Sequence, residues 1–475
     1  MARQRYIDRL TLFEAVRNDE IAGRIAGLIY DTDEEGHGEA VREAYYTTQR
    51  TLLKLVGRGG ISGNYLQNHL CRVIAGEENV FTRMAEDGVF KSLEPGMTAA
   101  DIKKTLAAGI KNPLPAQAVN PLAAQARLIL MLAAEEIGLI APLYRFSFGS
   151  LMDAADEPSA ADEHDAADKH SAADRCDIAS APATGAKGPT RHELVHKAMT
   201  QSSATDAAIL LARYHNSYGS GIFEPSSALN AEESGLVPVK NPDPITMDDL
   251  IGYERQKGTL IDNTRILLSG MQANNVLLYG DSGTGKSSSV KALLNKFAGE
   301  GLKMISVPRD RLPLLPGILE QIAGRGMKFM IFIDDLSFGE NEHEYKAFKS
   351  IMEGRVTPRP DNTIFIVTSN RKKIVQEGWG DREGGGDVRL RDNMQEKQSL
   401  ADRFGITLVY SAPDKHEYLA IVKSMAEKAG LAMPEGELAG EALKWEIRHG
   451  GRSGRTARQF VDYMAGIRNI EKGGA

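Results

Sequence analysis

An apolar run, Val276-Leu277-Leu278-Tyr279, leads directly into Gly280-Asp281-Ser282-Gly283-Thr284-Gly285-Lys286-Ser287, and this segment constrains the fold more than any other. It satisfies the pattern G-x-x-x-x-G-K-[ST], the P-loop, in the context the pattern requires: a buried strand before it and a helix after it. Gly280, Gly283 and Gly285 let the backbone turn tightly, so that consecutive N–H groups converge on phosphate oxygens. A helix opening near Lys286 adds the positive end of its dipole. Lys286 is suited to reach the β- and γ-phosphates, and the Ser287 hydroxyl to coordinate magnesium. Asp281, Ser282, Thr284 and Ser288 complete the set expected to contact nucleotide.

The sequence around this loop reads as an α/β domain. From Thr246 onward, short β-branched runs alternate with helical stretches, as in a mainly parallel sheet. The candidate strands are Asn275–Tyr279, Lys303–Val307, Lys328–Ile333, Thr363–Thr368 and Ile406–Tyr410. Five strands with intervening helices predict a three-layer αβα P-loop core over 246–412, with a parallel five-stranded sheet and a helical lid over 413–475. Forty-eight residues after Lys286, the run Phe329-Met330-Ile331-Phe332-Ile333 ends in Asp334 and Asp335. An apolar strand ending in acids is the Walker B arrangement. Asp334 would hold magnesium through water, and Asp335 would orient and deprotonate an attacking water.

The remainder is organised around this core. Residues 1–152 carry helix-spaced apolar positions, including Leu10, Phe13, Ala15, Val16, Ile21, Ile25 and Leu28, and predict a mostly α-helical region. Residues 153–190 repeat Ala-Ala-Asp four times among Ser, Pro and His. Such sequence buries too little apolar surface to offset chain entropy, so a disordered acidic linker is expected, with a solvated Ala-rich helix as the alternative. Residues 191–245 read as an amphipathic helix over 191–215 and a Pro/Ser/Asn-rich connector from Phe223 to Pro244. Between Asp153 and Gly185, seven Asp and two Glu oppose Lys169 and Arg175, a net −7 that equals the charge of the whole chain. The folded parts are thus neutral overall, which does not indicate a broad nucleic-acid-binding face. The two cysteines, Cys71 and Cys176, make no disulfide framework or zinc pattern, and His164 and His170 are irregularly placed. The apolar stretch Leu128–Ala134 falls far short of the roughly 20 residues of a membrane span, and no signal-peptide h-region opens the chain. A cytoplasmic protein is expected.

The order Asp248-Asp249-Leu250-Ile251-Gly252, P-loop, Walker B, Thr368-Ser369-Asn370 and Leu400-Ala401-Asp402-Arg403-Phe404-Gly405 resembles the AAA+ superfamily. Within it the chain is similar to an uncharacterised bacterial ATPase family, a domain of unknown function, from about residue 243 onward. Ile251-Gly252-Tyr253-Glu254-Arg255-Gln256, Asp334-Asp335-Leu336-Ser337-Phe338 and Gly454-Arg455-Thr456-Ala457-Arg458-Gln459-Phe460 carry that similarity. The helical N-terminal part is broadly similar too, with the Ala-Ala-Asp tract as an insertion. The resemblance implies ATP and Mg2+ as ligands and assigns roles by position. Asn370 corresponds to sensor 1, an amide able to donate and accept without adding charge. Arg403 matches the arginine finger that reaches a neighbouring subunit's site, work suited to a permanent charge on a planar fork. Arg455 matches sensor 2, with Arg458 as competitor, and Leu250, Ile251, Gly252 and Tyr253 would line the adenine pocket. Where most of the superfamily has Glu, this chain has Asp335, one methylene shorter.

The expected protein is an oligomeric ATPase that couples hydrolysis at an inter-subunit site to remodelling or loading of an unidentified protein client. A slowly hydrolysing binding switch or adaptor and a DNA-associated loader are the alternatives. The charged stretch Arg371–Leu400, with Gly384-Gly385-Gly386, reads either as a partner-contacting loop or as a surface insertion. Deleting Asp153–Gly185 should leave the thermal midpoint and ATP affinity close to those of the full chain, measured by calorimetry. A large loss of either would show that the tract packs against a domain.

Overall fold

A computed structural model of the chain describes residues 6–34, 47–48, 65–109, 121–145, 191–336, 348–352, 359–370 and 403–473. The linker expected over 153–190, with Cys176, and the charged stretch 371–400 lie outside the described residues. Two compact units emerge, Met1–Glu224 and Pro225–Ala475.

The first unit is helical among its described residues. Its longest helix, Pro121–Arg145, packs Ala126, Leu130, Ala133, Ile137 and Ile140 into a core shared with Leu10, Phe13, Val16, Ile21 and Ile25. Of the early apolar positions, Ala15 is exposed. The Glu136 carboxylate, nearly excluded from solvent, accepts the N–H groups of Thr11, Leu12 and Phe13 at 2.8–3.0 Å. A polar group can be buried this way because backbone donors replace its water. The single helix expected over 191–215 is two, Arg191–Met199 and Ala204–Tyr218. Ser203 breaks the run because its side chain accepts the Asp206 N–H as an N-cap.

The second unit is the three-layer αβα core with its lid, and its sheet has seven strands among the described residues, where five were expected. These are β1 (Ala228–Glu232), β2 (Gly235–Pro238), β3 (Val276–Gly280), β4 (Leu302–Ser306), β5 (Lys328–Ile333), β6 (Thr363–Ser369) and β7 (Ile406–Tyr410). The two unforeseen strands form a hairpin in the stretch read as a connector. β1 pairs antiparallel with β2 and parallel with β4, which extends the sheet upstream of Thr246. The order is β2-β1-β4-β5-β6-β3-β7, parallel throughout except for the hairpin.

Parallel strands covered on both faces read as continuous apolar runs. Every residue of β6 is buried, as are all of β5 after Lys328. Val276, Leu278, Met330, Phe332, Ile364 and Ile366 share one face with the helices Glu254–Leu268 and Lys286–Phe297. Phe365, on the other face, meets Phe348 edge-on. Because β5, β6, β3 and β7 run parallel, the loops that follow them gather at one edge of the sheet, where ligands bind in such sheets. Beyond that edge lie the lid helices Lys415–Lys428, Glu435–Arg448 and Gly454–Gly473, with a small core of Tyr418, Val422, Ala442, Phe460 and Val461.

Gly280 shows how tightly β3 and β7 are joined. Its φ is 143°, and a Cβ there would sit 2.0 Å from the Tyr410 carbonyl oxygen and 2.9 Å from its nitrogen. Because these are backbone atoms, only a shift of β7 could make room. Gly280→Ala should therefore destabilise the protein by roughly 2–4 kcal/mol in chemical denaturation. A change under about 0.5 kcal/mol, the scale of a neutral surface substitution, would show that β7 is not held there.

Candidate nucleotide site

The P-loop leaves β3 and enters a helix at Lys286, and its three glycines carry φ values that side chains resist: 143° at Gly280, 77° at Gly283 and 95° at Gly285. Gly283 also lies under the lid, where a Cβ would meet Ser453 Oγ at 3.0 Å and Arg455 Cβ at 3.2 Å. The Arg455 N–H donates to the Gly283 carbonyl at 3.4 Å, so the lid rests on the loop itself. At the loop's root, the Asp281 N–H donates to the Tyr410 carbonyl, and the Asp281 carboxylate accepts the Ala412 N–H at 2.9 Å.

Lys286 is 6% exposed, and burial pulls its pKa below the usual value, opposed by the negative charges of Asp335, Asp281 and Asp334. Its ammonium has three protons, and all three have acceptors: the carbonyls of Gly280 at 2.9 Å and Asp281 at 2.7 Å, and Asn370 Oδ1 at 3.0 Å. Asn370, just past β6, turns its other end to Asp335, with Nδ2 donating to Oδ1 at 2.6 Å. One amide thus joins the lysine to the second acid. Asp335 itself has φ 51°, one of two non-glycine residues with positive φ among those described. Asp is among the few side chains that tolerate this region.

Ser287 and Asp334 meet directly, the hydroxyl donating to the carboxylate at 2.6 Å. Thr368 Oγ1 donates to the same oxygen at 2.5 Å. Magnesium favours oxygen ligands and keeps several waters, and a hydroxyl beside a carboxylate on a cavity wall fits that chemistry. Among the described residues no three His, Cys, Asp or Glu side chains are grouped to hold a metal. A magnesium ion here would draw its remaining ligands from water and phosphate.

These groups line a cavity of about 460 Å3 together with Leu250, Ile251, Tyr253, Lys257, Ser282, Thr284, Gly285, Ser288, Arg455 and Arg458. The predicted residues Gly280, Asp281 and Gly252 are not in its wall. The first two are bound up with β7, and Gly252, at φ 81°, supplies the turn between Ile251 and Tyr253. Tyr253 also adopts a left-handed backbone, at φ 60°. Its ring stacks on Tyr410 at 4.8 Å, and its hydroxyl donates to the Ser411 carbonyl at 2.6 Å. Both Arg455 and Arg458 reach the cavity, so the wall does not choose between them. Arg403 stands apart, exposed ahead of β7 and outside the wall.

The sequence reading did not assign Thr368, Lys257, Ile421 or Met425. Ile421 and Met425 bring the first lid helix to the cavity, and their i, i+4 spacing was a legible signal. One turn on, Lys428 is paired with Asp249, whose carboxylate it holds at a pKa of about 2. Lys257 donates to the Leu250 carbonyl at 2.7 Å, fixing the strap that carries Ile251.

No curated protein sequence matches the chain. Among solved structures it is similar to the Thermotoga maritima RuvB Holliday junction branch migration motor, at 16% identity over 48% of this chain and 67% of that one, with a TM-score of 0.35. It is also similar to a chain of the E. coli MS115-1 HORMA:CdnC:Trip13 complex, at 12% identity over 46% and 89%, with a TM-score of 0.30. A structure describing katanin self-assembly matches at 17% identity over 46% and 69%, with a TM-score of 0.31. The family model described as "Protein of unknown function (DUF815)" matches residues 225–468, just over half of the 475 residues and the whole cavity wall. The chain belongs to the DUF815 family.

Proposed function

We propose that the second unit binds ATP with magnesium in this cavity and hydrolyses it as an AAA+ ATPase. The observation that carries the reading is the joining of loop and acids: Lys286 reaches Asp335 through Asn370, and Ser287 touches Asp334. The P-loop N–H groups and Lys286 would bind the phosphates, and Leu250, Ile251 and Tyr253 the base. Ser287 and Asp334 would hold Mg2+, which when bound neutralises charge on the phosphates.

In the reaction, Asp335 takes a proton from water as that water's oxygen attacks the γ-phosphorus. The bond to the β-γ bridging oxygen breaks, and the electron pair leaves with ADP. Lys286 must first exchange at least one present acceptor for phosphate. Asn370 is the natural one to release, since the other two are backbone carbonyls. Arg455 or Arg458 would meet the phosphates from the lid, and Arg403 would act in a neighbouring copy of a homo-oligomer. Lid movement would transmit the nucleotide state to a protein client. The second reading, a switch that seldom hydrolyses, is favoured by Asn370's hold on the carboxylate of Asp335.

Lys286→Ala should weaken ATP binding at least about tenfold, since it removes a charge-assisted phosphate contact worth roughly 1.5–3 kcal/mol. Unchanged titration calorimetry would refute the P-loop assignment.

Asp335→Asn should bind ATP normally but turn it over far more slowly, because the amide cannot take the proton. Asn shares the tolerance of left-handed backbone, so the change isolates that chemistry. Arg403→Ala should likewise bind and fail to turn over. Mixing the two variants should partly restore activity, because some interfaces then pair an intact Asp335 with an intact Arg403. Mixed oligomers as inactive as their parents would eliminate the finger in trans and leave the switch reading ahead.

A further inference from the structure

Thr368 lies on β6, between the strand that carries the P-loop and the strand that carries the two acids, and is 1% exposed. Its hydroxyl makes two contacts whose polarity is fixed. The Asp335 backbone N–H can only donate, so Oγ1 accepts there, at 2.8 Å. The single hydroxyl proton is then available to Asp334 Oδ1, at 2.5 Å. The Thr368 carbonyl accepts the Leu336 N–H at 2.8 Å, one residue past Val367 on β6 and three past its partner Ile333. One residue therefore straps the segment Asp334–Leu336 to β6 by both its side chain and its backbone.

The segment needs such a strap. Asp335 holds a left-handed backbone, which persists only where surroundings over-determine it. The same hydroxyl sets the rotation of the Asp334 carboxylate, whose Oδ1 also receives Ser287. The two acids have different tasks but share one anchor, and a serine or threonine is the smallest side chain able to accept from one and donate to the other.

We infer that Thr368 is a positioning residue for both acids, presenting Asp334 to the metal and Asp335 to the water through a single hydroxyl. This rests on the ATPase reading above. It also bears on the presence of Asp at 335: with the backbone turned to φ 51° and tied to Thr368, the shorter carboxylate still reaches Asn370 at 2.6 Å.

Thr368→Val keeps the shape and removes the hydroxyl. The expected result is a kcat lower by roughly 10–100-fold, the range for partners that orient metal ligands. More Mg2+ should be needed for half-maximal turnover, while ATP affinity without metal and the thermal midpoint stay near wild type. Thr368→Ser should recover most of the loss. If Val lowers the thermal midpoint, Ser and Ala supply the same comparison with the methyl lost in both. A second readout needs no turnover: the gain in ATP affinity on adding Mg2+, by calorimetry, should shrink in Val or Ala and persist in Ser.

The inference is overturned if Val matches wild type in kcat and metal requirement, or if Ser falls as far as Val or Ala. Wild type that gains affinity from Mg2+ yet shows no turnover would fail the ATPase reading, leaving the affinity comparison to decide on Thr368. Wild type that shows neither effect would remove both.

Discussion

A lysine ammonium shut away from water must find an acceptor for every proton, and that requirement organises the site. Lys286 meets it with two carbonyls of its own loop and one side chain from just past β6. The carbonyls curl the loop back on the ammonium, and the side chain ties it to Asp335. Since a buried unpaired charge is far more costly than a rearrangement, phosphate would enter as a replacement partner and not as an added one. On the proposed reading one contact breaks before another forms, and the amide proposed to let go also touches Asp335.

How much of this was legible varies with how local the signal is. β5 and β6 came out of the sequence within a residue, because strands buried on both faces are uninterrupted apolar runs between turn residues. β1 and β2 did not. Ala228–Glu232 contains Asn and Glu and lies near the sheet's edge, and Gly235–Pro238 carries the residues that ordinarily mark a loop. β1 is held in the sheet by pairing with β4, a long-range contact that no window of sequence contains, and β2 by pairing with β1.

The site shows the same division. Ser287 and Asp334 were readable because their chemistry is bound to motifs with fixed spacing. Thr368 passed as one more β-branched residue at a strand end, since its importance lies in being next to Asp334 and Asp335, more than 30 positions earlier. Tyr253 was read as part of a base pocket. Its left-handed backbone, and its attachment to Tyr410 and Ser411, belong to three dimensions alone.

The crowding of Gly280 against Tyr410 has a consequence for how the chain can be cut. The last strand of the sheet supplies the carbonyl that receives the Asp281 N–H and the backbone that Gly280 is shaped to clear. A fragment ending before Ile406 would hold every residue of the motif, both acids and Asn370, and still lack one wall of the mould that gives the loop its form. During synthesis the same order applies. The loop leaves the ribosome well over 100 residues before the strand that completes it, so its shape cannot be set before Tyr410 has emerged.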